Sequence, residues 1–238
     1  MKFHRFIGDF DLSRSILRVT EPDFVQQLST VLHLTHGEEL ILCDGKGNDA
    51  KGKIRNYGKG FVEIEIFGQK KNEAEPSCEV TLYLSILKKD NFEFAAQKAT
   101  EAGVTHLVPV LSARTIKLNI SEKRIAQIMK EAAEQSGRGT VPQMHEVLDF
   151  NAALEHAAQN DTNLLFDISG DSMHRIMPAL KDSRRIGIFI GPEGGFNSEE
   201  VARAKEKGFE IGNLGKRILR AETAATIATF LLCQSHEE

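Results

Sequence analysis

The sequence predicts an α/β protein, with a parallel-sheet domain at residues 73–238 preceded by a small β-rich domain at residues 1–72. Three observations carry this prediction. Ile186-Gly187-Ile188-Phe189-Ile190 is too apolar for a half-exposed strand and too short for a helix, which marks a buried parallel strand. That strand breaks at Gly191-Pro192-Glu193-Gly194-Gly195, and Asn197 with Glu200 three positions on has the spacing of a capping box that opens a helix. From Glu79 onward strand-like and helix-like stretches alternate, as a parallel sheet requires, whereas the earlier residues hold short alternating strands between glycine turns.

In chain order, Phe3 to Ile7 and Ser15 to Val19 are strand-like, and Thr20-Glu21-Pro22-Asp23 starts a helix with Pro22 in its first turn. That helix is expected to turn Phe24, Leu28, Val31 and Leu32 inward. Strands follow at Glu39 to Cys43, Asp49 to Asn56 and Phe61 to Phe67, joined through Asp44-Gly45-Lys46-Gly47 and Tyr57-Gly58-Lys59-Gly60. Val62, Ile64 and Ile66 alternate with Glu63 and Glu65, so one face of the last strand is wet. Gln69 to Ser77 is polar, has Pro76 at its end before Ser77 and is expected to link the domains. Beyond it come a strand at Glu79 to Leu87, a helix at Asn91 to Ala102 stopped by Gly103, and a strand at Leu107 to Leu111. A helix from Ser121 to Gly137 places Ile125, Ile128, Met129, Ala132 and Ala133 on its inner side. A strand at Met144 to Leu148, a helix at Ala152 to Ala158, a buried strand at Leu164 to Phe166 and a helix around Met173 to Leu180 lead to the central strand.

Forty-one per cent hydrophobic and 27% charged residues suit a globular protein with sizeable cores. No stretch approaches a membrane span and the start lacks a signal-peptide pattern, so a cytoplasmic protein is expected. Three widely spaced cysteines without a CxxC pair, and histidines without clustering, point to neither a disulfide framework nor a metal site. A net charge of −4 excludes a protein that coats nucleic acid indiscriminately, because such binding comes from neutralised phosphates. Local positive charge remains in Arg114, Lys117, Lys123, Arg124, Lys130 and Arg138, and again in Lys216, Arg217 and Arg220, although a solvated helix face explains several of these equally well.

A strand, a glycine-rich turn and a capped helix place a ligand crevice at the carboxyl end of a sheet. A phosphate cradle is disfavoured, since Glu193 stands at the centre of the turn and no Gly-Lys-Ser/Thr ending follows; the dinucleotide pattern GxGxxG is absent too. A second loop, Leu214 to Arg220, runs into Ala221-Glu222-Thr223-Ala224-Ala225, small residues that open a last apolar helix.

IGPEGGF followed by LGKRILRAETA resembles the 16S ribosomal RNA uracil-N3 methyltransferase family, a branch of the SPOUT class of S-adenosylmethionine-dependent RNA methyltransferases. QKATEAGVTHLVPVLSART at residues 97–115 and EAAEQSGRGTVP at residues 131–142 extend the resemblance, and HRFI with GEELILCDGKG is similar to the family's N-terminal pattern. Where the family usually has arginine, this chain has His33.

The resemblance implies a C-terminal domain with a deep trefoil knot, a PUA-like β-barrel in front of it that binds RNA, and a homodimer that completes each active site at the subunit interface. The apolar last helix, with Ile227, Phe230, Leu231 and Leu232, is a candidate dimer surface. S-adenosylmethionine is implied as cofactor. Leu165 and Phe166 at the end of one strand, Gly191, Glu193 and Gly194 in the first turn, and Leu214, Gly215, Ile218, Leu219, Arg220 and Thr223 at the second loop are implied to hold it. Arg114, Glu134 and Arg138 are implied to serve the reaction, on a uridine of 16S rRNA in the small ribosomal subunit.

Methyl transfer from a sulfonium is an in-line displacement, so the protein must align donor and acceptor and exclude water. Loss of the N3 proton spreads negative charge onto the flanking carbonyl oxygens, which an arginine stabilises. Glu134, Glu193 and bulk water all remain open as the base. Methylation at C5 would need a cysteine nucleophile, and none lies in these motifs. Two other readings stay open: a sister enzyme acting on tRNA or a ribose 2′-hydroxyl, and a catalytically silent RNA-binding scaffold.

Overall fold

In the computed structural model, which describes residues 3–116 and 120–236, the chain folds as two compact units. One comprises Met1–Glu75 with Ala133–Val141, the other Pro76–Ala132 with Pro142–Glu238. Lys117, one of the local positive charges noted above, lies outside the described residues.

The first unit carries β1 (His4–Ile7), β2 (Ile16–Val19), α1 (Pro22–Gln26), β3 (Glu39–Cys43), β4 (Asn48–Gly58) and β5 (Phe61–Lys71). Its five strands form a mixed sheet in the order β1-β3-β4-β5-β2, with β1 parallel to β3 and the remaining pairs antiparallel. Alternation along the strands drives Leu40, Leu42, Ile54, Val62 and Ile64 into one core, where Phe6 meets Phe24 edge-on with ring centroids 5.3 Å apart.

The helix of this unit departs from the expected pattern at its end. After α1 the chain makes a π-helical turn at Gln27–Val31, in which the Leu32 amide bonds the Gln27 carbonyl five residues back. The wider turn keeps Phe24 and Leu28 buried but rotates Val31 out, leaving it 65% exposed. Val31 is therefore not a core residue. The chain then reverses at exposed His33, whose φ of 53° lies in the left-handed region that few side chains tolerate. The expected linker is also more ordered than its composition suggested, because β5 runs on to Lys71 and Asn72 is buried.

The second unit carries β6 (Glu79–Ser85), α2 (Lys89–Glu101), β7 (His106–Leu111), α3 (Glu122–Ser136), β8 (Gln143–Met144), β9 (Leu148–Asp149), α4 (Phe150–His156), β10 (Thr162–Ser172), α5 (Met173–Ile176), β11 (Arg185–Ile190), α6 (Ser198–Glu206), β12 (Glu210–Asn213) and α7 (Ala221–Gln234). The last turn of α3 groups with the first unit. All pairings in this sheet are parallel, in the order β12-β10-β11-β6-β7-β8, with β9 also on β7.

Ile186, Ile188, Phe189 and Ile190 of β11 are buried between two neighbouring strands, and Phe189 stacks on Tyr83 at 4.2 Å. The inner face expected for α3 is buried at Ile125, Ile128, Met129, Ala132 and Ala133. The strand expected at Met144 to Leu148 is instead two short bridges to β7. β12 has no counterpart in the sequence-based reading, and β10 extends well past Phe166 so that its far end pairs with β12 after a register shift. α7 packs on α2, β6 and β11. Its Leu232 belongs to the core, while Phe230 and Leu231 are exposed. All three cysteines are buried and none takes part in a disulfide, and the described residues contain no cluster suited to a metal ion.

Candidate functional site

A cleft of about 1110 Å³ opens at the carboxyl ends of three adjacent strands, β12, β10 and β11. Its walls are the chain after Phe166, the turn Gly191 to Gly195, the loop Leu214 to Arg220 and the first turn of α7. Such a place follows from the topology, since loops leaving parallel strands in this order have no further element to cover them.

The turn after β11 has its shape because two positions exclude ordinary side chains. A Cβ on Gly191 would lie 3.1 Å from the Phe196 amide nitrogen and 3.2 Å from the Gly195 backbone, and Gly195 has a φ of +67°. The Gly195 amide closes the turn onto the Pro192 carbonyl at 2.8 Å. α6 then starts with the reciprocal cap that its sequence predicts: Asn197 Oδ1 accepts from the Glu200 amide at 2.8 Å, and Glu200 Oε2 accepts from the Asn197 amide at 2.9 Å.

Glu200 does more than cap the helix. Its other oxygen, Oε1, accepts from the Ala113 amide at 2.7 Å, which ties the loop carrying Arg114 to the start of α6. Arg114, exposed on the cleft wall, donates from Nη1 to the Gly194 carbonyl at 2.5 Å and more weakly to that of Phe196 at 3.5 Å. Glu193 is exposed at the same wall, with Oε1 3.4 Å from the Lys88 amide that donates to it. On the opposite side Asn213 joins two loops: its Nδ2 donates to the Ile168 carbonyl at 2.7 Å and its Oδ1 accepts from the Gly215 amide at 2.6 Å.

Most of the cofactor residues expected from the sequence meet here. Phe166, Gly191, Glu193, Gly194, Leu214, Gly215, Ile218, Leu219 and Arg220 line the cleft. Leu165 and Thr223 do not. Leu165 is wholly buried in the core with Phe189 and Ile211, because strand alternation sends it to the face opposite Phe166. Sequence reasoning missed Ile168, Asn213 and Glu222, which also line the cleft. The one available signal was Glu222, a lone acid among alanines and threonines of an apolar helix.

Glu134 and Arg138 belong to the first unit. Glu134 Oε1 accepts from the Ile7 amide at 2.9 Å. Arg138 is 2% exposed and donates from Nη2 to Glu75 Oε2 at 2.8 Å, while Glu75 Oε1 also accepts from the amides of Gly139 and Thr140. Burial alone would raise the Glu75 carboxyl, but the hydrogen bonds and charge of Arg138, with help from Thr140, hold it below the usual carboxylate range. Beside it Arg5 donates to both oxygens of Asp49 at 2.8 and 2.9 Å and to the Arg138 carbonyl at 3.2 Å. Burial opposes the Asp49 charge, yet Arg5, Cys43 and Asn72 together keep that carboxyl low. Asn72 of the expected linker donates to Asp49 and to the Gly137 carbonyl, both at 3.0 Å.

The cleft lies in an RNA methyltransferase domain, the family that residues 74–233 match. More narrowly, the chain belongs to the ribosomal RNA small subunit methyltransferase E family. It is 30% identical to the member from Rickettsia conorii over 100% of this chain and 99% of that one, and 33% identical to the member from Synechocystis sp. over 84% of this chain and 67% of that one. A crystal structure of the Neisseria gonorrhoeae member bound to S-adenosyl methionine superposes with a TM-score of 0.88 at 32% identity, covering 99% of this chain and 98% of that one.

The cleft fits that cofactor. Its volume is slightly above the roughly 300–1,000 Å³ usual for ligand pockets, so a cofactor of that size has room. Glu222 on its wall also carries a carboxylate oxygen, Oε2, that is buried with no hydrogen-bond partner among the described residues, an arrangement that a ligand with a cationic donor group would satisfy.

Proposed function

We propose that this protein transfers the methyl group of S-adenosylmethionine to N3 of a uridine in 16S rRNA of the small ribosomal subunit. The observation that carries the reading is the pairing of the GPEGG turn with the LGKRILRAETA loop around one cleft at the strand ends. Backbone groups of the turn and of the 214–220 loop would hold the cofactor, with Phe166, Ile218 and Leu219 covering its apolar parts. The bound cofactor supplies an electrophilic methyl group.

The protein's own part is alignment and charge. Arg114 stands on the cleft wall with backbone carbonyls as its partners and no carboxylate against it among the described residues, so its charge remains available for the negative charge that develops on the uracil oxygens. Of the carboxylates that the sequence offers as base, Glu193 lines the cleft. Glu134 and Arg138 enter the proposal as residues whose loss lowers turnover. Their bonds to Ile7 and Glu75 require that stability be measured beside rate. Lys88, Lys205, Arg217 and Arg220 around the cleft, with Ile168 76% and Ile218 88% exposed, suit an unpaired base and its phosphates.

The same proposal takes residues 1–72 as a PUA-like barrel that holds the RNA and residues 73–238 as a SPOUT domain with a trefoil knot. The return of α7 onto α2, β6 and β11, after β12 has joined the far edge of the sheet, supports the knot. Exposed Phe230 and Leu231 support a homodimer, to be read by light scattering. The proposal includes a cytoplasmic location, where assembling ribosomes are found, and no helix among the described residues is long and apolar enough to cross a membrane.

Because N3 lies on the Watson–Crick edge, the base must be met unpaired or flipped out. A methyl group there stops primer extension, which gives the test. Small subunits from a deletion strain should become a substrate and acquire one stop in 16S rRNA together with 3-methyluridine by nucleoside mass spectrometry. A methyl group found only on tRNA or on a ribose would overturn the assignment. A net charge of −4 favours recognition of shape over charge, so assembled subunits should serve better than protein-free 16S rRNA.

A further inference from the structure

Glu222 stands at the second position of α7 and lines the cleft, yet the residue is only 8% exposed. Its Oε2 is buried without a hydrogen-bond partner among the described residues. Arg220 Nη1 is 3.9 Å from the other oxygen, and that arginine side chain is 84% exposed, so water screens the pair. A carboxylate in the first turn complements a helix dipole, but that role is served as well from a solvated position and does not explain burial. An acceptor left buried without a donor costs stability, and a group of this kind persists where something else supplies the donor.

The same helix end offers a second feature. Arg220, the N-cap residue, makes no side-chain cap, so among the described residues the first-turn amides of a 14-residue helix have no side-chain capping acceptor at the wall that Ala221, Glu222 and Ala224 form. An acceptor for a cation beside amides for an anion is complementary to one chemical class, the zwitterionic end of an α-amino acid.

We propose that Glu222 reads the amino-acid end of the methyl donor, its buried carboxylate accepting the α-ammonium group while the uncapped first-turn amides of α7 take the α-carboxylate. This rests on the donor assignment above and adds the residue that recognises its charged tail. In that role Glu222 is a binding residue and takes no part in proton transfer. It also separates the donor from nucleosides and nucleotides that share its adenosine but lack an amino-acid group.

The test is calorimetric titration of the wild type and Glu222→Gln with three probes: S-adenosylmethionine, S-adenosylhomocysteine and 5′-methylthioadenosine. The last keeps adenosine and the thioether and lacks the amino-acid end. Glu222→Gln should weaken the first two by about ten- to a hundredfold, as expected for a lost charge-assisted hydrogen bond, and leave the third unchanged. Its ligand-free melting temperature should equal or exceed that of the wild type, since an unpartnered buried charge has been removed. Unchanged affinity for all three probes overturns the proposal. A parallel loss of 5′-methylthioadenosine overturns it in favour of a ribose contact, and a loss confined to S-adenosylmethionine overturns it in favour of a response to the sulfonium charge. Wild-type protein that binds no S-adenosylmethionine would remove the donor assignment itself, a result distinct from any of these.

Discussion

Arg114 and Arg138 enter through motifs of equal standing, each an arginine in a loop after a regular element, and the fold gives them opposite surroundings. Arg114 is exposed and its guanidinium meets carbonyl oxygens of the Gly194–Phe196 turn. Arg138 is buried against the Glu75 carboxylate, in a segment further held by Arg5, Asn72 and Glu134. Neutral acceptors orient a positive charge without cancelling it, whereas a carboxylate paired with a buried guanidinium neutralises it and makes it part of the framework. The first arrangement suits a group that must meet negative charge arising during a reaction; the second holds a segment in place.

The largest effect should come from filling the turn that Arg114 supports. A Cβ on Gly194 would lie 3.2 Å from Arg114 Cδ, a side chain able to yield, so Gly194→Val should fold normally while its added bulk in the cleft removes measurable S-adenosylmethionine binding by calorimetry. Wild-type affinity in this variant would mean that the turn does not border the donor.

Next in size is Arg138→Ala. It leaves Glu75 without its cation and should cost about 3 kcal/mol in urea unfolding, the scale of breaking a buried pair. Arg114→Ala should lower turnover about a hundredfold with its urea midpoint little changed. Equal stability losses in the two variants would erase the contrast between them, and full turnover in Arg114→Ala would return that arginine to a turn-bracing role.

The smallest effect concerns pH. Because the folded state holds the Glu75 carboxyl low, its contribution is fully present above the unfolded value and is lost as pH falls through the folded one. Below about pH 4.3, the ordinary glutamate value, the wild type should lose stability more steeply than Glu75→Gln. Parallel acid melting curves would show that the Arg138–Glu75 pair carries no net charge stabilisation.

Local chemistry made several parts of this protein legible without coordinates. Gly191 and Gly195, the Asn197–Glu200 capping box, the apolar run of β11 and the inner face of α3 all express constraints that act over a few residues: backbone sterics, orphan amides and side-chain period. The two loops that border the cleft were legible as a pair of family motifs. Val31 was misplaced because a π-helical turn shifts the helical period by a residue, and such a turn leaves no trace in a hydrophobic pattern. β12 went unseen because a four-residue edge strand is shorter than the window in which periodicity can be measured.

What the sequence by itself determined is the class of protein, its parallel sheet and the two loops that meet at the strand ends, since these follow from patterns and motifs contiguous in the chain. The tertiary structure alone decided the partners: Glu200 reaching Ala113, Asn213 joining two loops, Asn72 hydrogen-bonded to Asp49, Arg138 paired with Glu75, and Glu222 left with an oxygen that no donor among the described residues answers. A charged side chain acquires its task from burial and from the sign of its neighbours. Those neighbours lie as far as 133 positions away in the chain, as between Arg5 and the Arg138 carbonyl, beyond the reach of any local pattern.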